Sequence, residues 1–187
     1  MNDQITYILI RSKRKSIGIQ VKDGTVFVHA PLRTAKPVID RFVAENIRWI
    51  EKQLAKSAAV REKAAEEGML SEEDIACLVK KAKLILPARV AHFAKIIGVS
   101  YGRITIRSQR TKWGSCSSKG NLNFNCLLML APPEVIDSVI VHELCHRKEM
   151  NHSARFYAEV NRVFPQYDQC HKWLRTNGEI LMHRVQK

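Results

Sequence analysis

With 187 residues, 45% hydrophobic and 26% charged, the chain has the balance of one globular domain, or one domain plus a small lobe; wholesale disorder and fibrous architectures are excluded. Its longest strongly apolar run, Cys126 to Pro133, falls far short of the roughly 18 residues that cross a bilayer, so no membrane partner is expected. Lys and Arg total 31 against 18 acids, a net charge of +13, and no acid lies between Asp74 and Glu134; such a field attracts nucleic acid, nucleotides, acidic proteins or anionic membrane surfaces without naming one.

The segment Met1 to Ile10 carries Asp3 and no extended apolar stretch, so it does not read as a secretory signal, and a cytoplasmic location is expected. Ile17, Ile19 and Val21 alternate with Gly18 and Gln20. Asp23-Gly24 then supplies a hairpin turn into Val26, Phe27 and Val28. A long helix is predicted from about Pro37, with Thr34 as its cap, because Ile39, Val43, Ile47, Ile50 and Leu54 recur at helical spacing. The pattern turns polar from Ser57 and ends at Gly68. Ser71 and Asp74 then form a capping-box pattern opening a second long helix, which Pro87 is expected to kink or split before Gly98 stops it.

Short strands are expected at Ile104 to Ile106 and at Leu122 to Phe124, where apolar and polar residues alternate. From Pro132 the pattern is helical to nearly the end, broken at Asn151 and near Pro165. The fold class expected is α+β. An N-terminal β-hairpin lobe with a long helix occupies residues 1–70, and residues 71–187 hold a small sheet and an active-site helix, the two parts forming one continuous unit. The five cysteines show no CxxC pair, which argues against a disulfide framework, a disulfide-linked partner or a cysteine zinc site.

Chemistry concentrates in His142-Glu143-Leu144-Cys145-His146, an HExxH pattern on a predicted helix. Residues four apart stand one above the other on a helix, so His142 and His146 present two imidazoles to one metal ion. Glu143 is then placed to take a proton from a metal-activated water and pass it to a leaving group. In a chain of this composition roughly 0.02 such matches arise by chance. A catalytic tetrahedral site needs a third protein ligand. His152 stands six residues after His146, the spacing of the extended metzincin pattern, with Glu149 where that pattern has Gly and Asn151 a candidate for the left-handed turn. The rival third ligand is Glu159. Ser153 is positioned to cap the following helix.

The stretch Lys112-Trp113-Gly114-Ser115-Cys116, then Leu130-Ala131-Pro132-Pro133-Glu134, then His142 to His146 and Asn151-His152-Ser153-Ala154-Arg155-Phe156, resembles the YgjP-like metallopeptidase family. More distantly it is similar to SprT-like proteins and zincins. The resemblance implies a zincin-like region, one zinc per chain held by residues matching His142, His146 and His152, and Glu143 as general base. By analogy with zincins, Asn121 to Leu130 is the candidate edge strand that receives substrate. Trp113, Asn123 and Arg155 are the candidate substrate contacts, and Arg155, Tyr157 or His171 the candidates for polarising the attacked carbonyl. The function implied is amide hydrolysis of a peptide or protein. Two alternatives follow from the basic charge: a metal-dependent nucleoside triphosphate hydrolase using the same site, and a nucleic-acid-associated protein with weak, salt-dependent contacts and little activity.

Overall fold

A computed structural model describes residues 5–185, and within it the chain divides into two compact units, Met1–Lys63 and Ala64–Lys187. The α+β class expected from the sequence is the class observed.

In the first unit, β1 (Ile8–Ser12), β2 (Gly18–Lys22) and β3 (Thr25–Pro31) form a sheet in the order β1-β3-β2. The Asp23-Gly24 turn joins β2 and β3 antiparallel, with φ of 50° and 78° at its two residues, as such a two-residue turn requires. Alternation along β3 buries Val26, Val28 and Ala30 against Ile39, Val43 and Ile50. β1 pairs parallel to β3, a contact that local pattern does not announce.

The long N-terminal helix is two helices, α1 (Lys36–Glu45) and α2 (Ile47–Glu66). Asn46 separates them: its side-chain Nδ2 donates to the Phe42 carbonyl at 2.8 Å, and its backbone leaves helical geometry with φ −104° and ψ 11°. The Thr34 cap is corrected as well, since Ala35 occupies the N-cap position without a side-chain bond and Pro37 starts the first turn.

The second unit is organised by α3 (Glu72–Ile97) and α4 (Pro133–Cys145). The Ser71–Asp74 capping box is formed in both directions. Pro87 does not split α3, which runs unbroken through it to Gly98. A stripe of Leu78, Ala82, Leu86, Val90, Ala94 and Ile97 is buried on both sides of the proline, and this packing outweighs the one lost backbone bond. Beside these helices lies a sheet of β4 (Ile104–Arg107), β5 (Gly114–Cys116) and β6 (Leu122–Asn125), ordered β4-β6-β5.

This order corrects the expected edge strand. β6 is central, parallel to β4 and antiparallel to β5, and residues Cys126–Leu130 leave the sheet as a 3-10 turn. The edges are β4 and β5. Helices α5 (Ala154–Val163) and α6 (Tyr167–His183) complete the unit, both packed against α4. Because α4 is enclosed by α3, α5, α6 and β5, its face is apolar almost all round.

Gly98 closes α3 in the left-handed region, φ 77°, its N–H donating to the Ala94 carbonyl at 2.9 Å. A Cβ there would meet nothing within 4 Å, so Gly98→Ala isolates the backbone term. Denaturant unfolding of this variant is expected to show a loss of about 1–2 kcal/mol; an unchanged transition would remove the constraint.

Candidate active site

The last turns of α4 bring His142 and His146 to one side, and the chain returns His152 to them. Ring centroids lie 5.0 Å apart for His142–His146, 5.0 Å for His142–His152 and 4.8 Å for His146–His152. All three rings also pack on Phe156, at 4.9, 4.6 and 4.9 Å. Phe156 is held in the first turn of α5 by Ser153, whose hydroxyl caps that helix by accepting from the Phe156 N–H at 3.3 Å.

The return from His146 to His152 needs no left-handed residue. Arg147 N–H donates to the Leu144 carbonyl, and the N–H groups of Lys148 and Glu149 both donate to the Cys145 carbonyl. The turn thus tightens in the right-handed sense, and among the described residues Asp23 is the one non-glycine at positive φ. Asn151 is therefore not the left-handed pivot expected, and the Glu149 position does not require glycine.

The imidazoles are prepared as neutral donors. His146 Nδ1 donates to the Glu149 carbonyl at 3.1 Å, which leaves a lone pair on its Nε2, and His142 Nδ1 bonds Tyr167 Oη at 2.8 Å, which turns its Nε2 toward His152. Burial first, then His146, His152 and His171, pushes His142 down to about 3. Burial also lowers His146, against the bond to Glu149. Burial raises Tyr167, so its hydroxyl keeps its proton.

His142 Nε2 and His152 Nε2 stand 3.1 Å apart, and the ligand atoms of all three histidines lie within 4.8 Å of one another. Two nitrogens bound tetrahedrally at 2.0–2.1 Å from zinc would be about 3.3–3.4 Å apart. The donor set therefore fits a metal ion of that size. Glu159 lies outside this cluster, paired with Lys148 at 2.6 Å and Arg162 at 2.7 Å.

Glu143 is 5% exposed, and burial pushes its carboxyl up to about 8, opposed by Lys112. A cation among the neighbouring imidazoles acts in the same direction as Lys112. The carboxyl faces β5 at close range: a Cβ on Gly114 would lie 2.7 Å from Glu143 Oε1. Glycine is the residue that lets this edge strand approach the carboxylate. Together Lys112, Gly114, Ser115, Cys116, Glu143, Met150 and the three histidines line a cleft of about 300 Å³.

Trp113, Asn123 and Arg155, expected to touch substrate, are not among the residues lining this cleft. Trp113 packs over Gly178 of α6, where an added Cβ would come within 2.9 Å of its ring. Asn123 Nδ2 donates to Ser115 Oγ at 3.1 Å, supporting β5 from behind. Arg155 lines a separate depression with Glu149, Asn151, Ser153 and Ala154. Of the proposed carbonyl donors, His171 stacks on Tyr167 and Tyr157 approaches His152 at 6.2 Å between centroids.

Three contributors receive no site role from the sequence, Lys112 among them although it opens the motif that runs to Cys116. Lys112 is the lysine of the cleft. Tyr167 orients His142 across 25 residues of chain. Asn125, buried, donates to the carbonyls of Gln109 and Lys112 at 2.7 and 3.0 Å and so fixes the loop that delivers Lys112 and Gly114. Neither Tyr167 nor Asn125 carries a local spacing signal; Asn125 reads as one more polar residue of an alternating strand, although the structure buries it.

The chain matches the family model described as YgjP-like, metallopeptidase domain, over residues 15–78 and 75–177. Among the solved structures it is similar to are two metallopeptidase zymogens. One is the metallopeptidase zymogen of Pyrococcus abyssi abylysin, 23% identical, with 50% of this chain and 94% of that one covered and a TM-score of 0.47. The other is the metallopeptidase zymogen of Methanocaldococcus jannaschii jannalysin, 21% identical, with 49% and 94% covered and a TM-score of 0.44. No curated protein matches this sequence. The family match spans most of the chain and contains every residue of the cleft, and the chain belongs to the YgjP-like metallopeptidase family.

Proposed function

We propose that the protein is a zinc-dependent peptidase in which His142, His146 and His152 hold one zinc ion and Glu143 is the general base. The observation that carries this reading is the convergence of three imidazoles with a buried carboxyl on one open cleft beside an edge strand. Bound there, zinc would supply Lewis acidity toward water and a substrate carbonyl.

The chain's own residues do the rest. Tyr167 fixes the orientation of the His142 ring, and the Glu149 carbonyl, which can only accept, fixes both the orientation and the tautomer of His146. Glu143 takes the proton of the attacking water on a carboxylate oxygen and delivers it to the leaving amide nitrogen. Lys112 is the donor for the developing oxyanion, replacing the Arg155, Tyr157 and His171 candidates in that role. The peptide lies extended along β5, where Gly114 leaves the backbone accessible beside Glu143. In this assignment residues 71–187 carry the whole site and residues 1–70 form the accompanying lobe.

The cleft favours an amide over a nucleoside triphosphate. Its lining offers Lys112 as its one lysine or arginine, whereas a polyphosphate recruits several cations. The acid-free stretch places Lys83, Arg103 and Arg107 around a different groove. The location is proposed to be cytoplasmic. No helix of the described chain is long and apolar enough to cross a membrane.

Three outcomes are expected. Glu143→Ala should lower cleavage of an unstructured protein substrate by about 10²–10⁴-fold while zinc content by elemental analysis stays near one per chain; full activity in this variant would overturn the mechanism. His152→Ala should strip zinc and Glu159→Ala should not; the opposite result would assign a two-histidine, one-carboxylate site. Gly114→Ala should retain zinc yet lose at least about tenfold in kcat, because the new methyl displaces Glu143. Unchanged turnover would separate β5 from the chemistry.

A further inference from the structure

The second sheet has two edges, and the one away from the cleft is β4. Among the described residues β4 pairs with β6 alone. Arg103 directs its main chain toward β6: its N–H donates to Asn121 Oδ1 at 3.0 Å and its carbonyl accepts from the Leu122 N–H at 2.9 Å. Main-chain groups of successive strand residues face opposite sides, so Ile104 and Ile106 turn their N–H and C=O groups outward. Their side chains pack against the core, which holds the strand in place.

That outer edge borders a groove of about 670 Å³, lined by Lys83, Pro87 and residues Arg103 to Arg107. Its walls are one strand edge and one helix, α3, the arrangement in which peptides add to a sheet beside a helix. The charge is of a single sign. Lys83, Arg103 and Arg107 are exposed, and among the described residues none of them makes an ion pair. Neither β4 nor the part of α3 after Asp74 contributes a carboxylate. Leu84, next in sequence to Lys83 on α3 though not part of the groove's lining, is 81% exposed, the most exposed large apolar side chain among the described residues.

We propose that the outer edge of β4 and the adjoining turn of α3 form a docking groove for an extended acidic peptide segment, which joins the sheet as a fourth strand. The main-chain groups of Ile104 and Ile106 supply the ladder. Lys83, Arg103 and Arg107 select acidic side chains over basic ones, and Leu84 accepts an apolar residue alternating with them. The groove shares no residue with the catalytic cleft, so this inference stands apart from the zinc assignment. Cations on a strand edge also serve simply to repel other edges, and the experiment separates the two roles.

The test is fluorescence anisotropy of the full chain with a labelled peptide of about six residues, acidic and β-branched in alternation. Saturable binding is expected at low salt, weakening as salt rises and unchanged by a chelator. Lys83→Glu combined with Arg103→Glu should weaken it at least tenfold, and the milder Lys83→Gln should weaken it less. Each variant should keep the parent's circular dichroism spectrum and thermal transition. Methylating alternate peptide amides should abolish binding, since charge is kept and the ladder is lost. The proposal is overturned if the acidic peptide does not saturate, if the methylated peptide binds equally, if the variants bind as the parent does, or if a single-stranded oligonucleotide binds in its place.

Discussion

Phe156 is the contact on which the candidate site depends. It is fully buried and lies within 5 Å of the ring centroids of His142, His146 and His152 at once. Two of those rings come from one helix, where spacing alone aligns them. The third comes after a turn, and a shared apolar floor is what makes its position cooperative with the others. Ser153 sets that floor by capping α5, and Arg147 holds the turn from outside through bonds to the carbonyls of Ser100 and Ser118 at 3.1 Å each. With both helical Nδ1 atoms also committed to Tyr167 and Glu149, little rotation remains to the rings.

Pairing a buried carboxyl with this cluster places opposed demands on one small volume. Burial lowers His142 and His146 and raises Glu143, so water exclusion alone favours the uncharged form of all three. In the proposed reading, a divalent cation on the imidazoles and Lys112 at the rim would both favour the carboxylate form that a base requires. The close approach of Gly114 then keeps Glu143 from relaxing toward solvent. Helix, strand edge and loop each contribute one of these terms, and Asn125 ties the loop to the sheet.

What was legible in the sequence was what a local period or a turn residue encodes. The HExxH pair, the Asp23-Gly24 hairpin, the Ser71–Asp74 capping box, the Ser153 cap and the helix stop at Gly98 depend on neighbours within a few positions, whereas the break expected at Asn151 falls earlier, α4 ending at Cys145. Pairings over long separations were not legible. β5 spans three residues, too few for alternation to register, and β6 looked like an edge because nothing in its own residues reveals that β4 and β5 flank it. Trp113 illustrates the same limit, since an aromatic in a loop motif suits a rim as well as an anchor until Gly178 is seen beneath it. Asn46 and Pro87 mark the converse error. A capping amide ended a helix that hydrophobic spacing continued, and tertiary packing carried another helix through a proline.

The distribution of charge separates two jobs that the composition blends into one number. Net charge of +13 invites the idea of a substrate funnel at the active site. Yet the cleft is lined by Lys112 alone of the lysines and arginines, while Lys83, Arg103 and Arg107 surround the opposite edge of the same sheet. β6 lies between β4 and β5, which puts the two edges about 9–10 Å apart. At physiological ionic strength the screening length is about 8 Å. Burial aside, the charge that acts on the Glu143 carboxyl is that of Lys112, not that of the cations around β4. On the proposed assignment, the field at Glu143 is set by the few charges inside the cleft, and the basic surface around β4 is left for recognition.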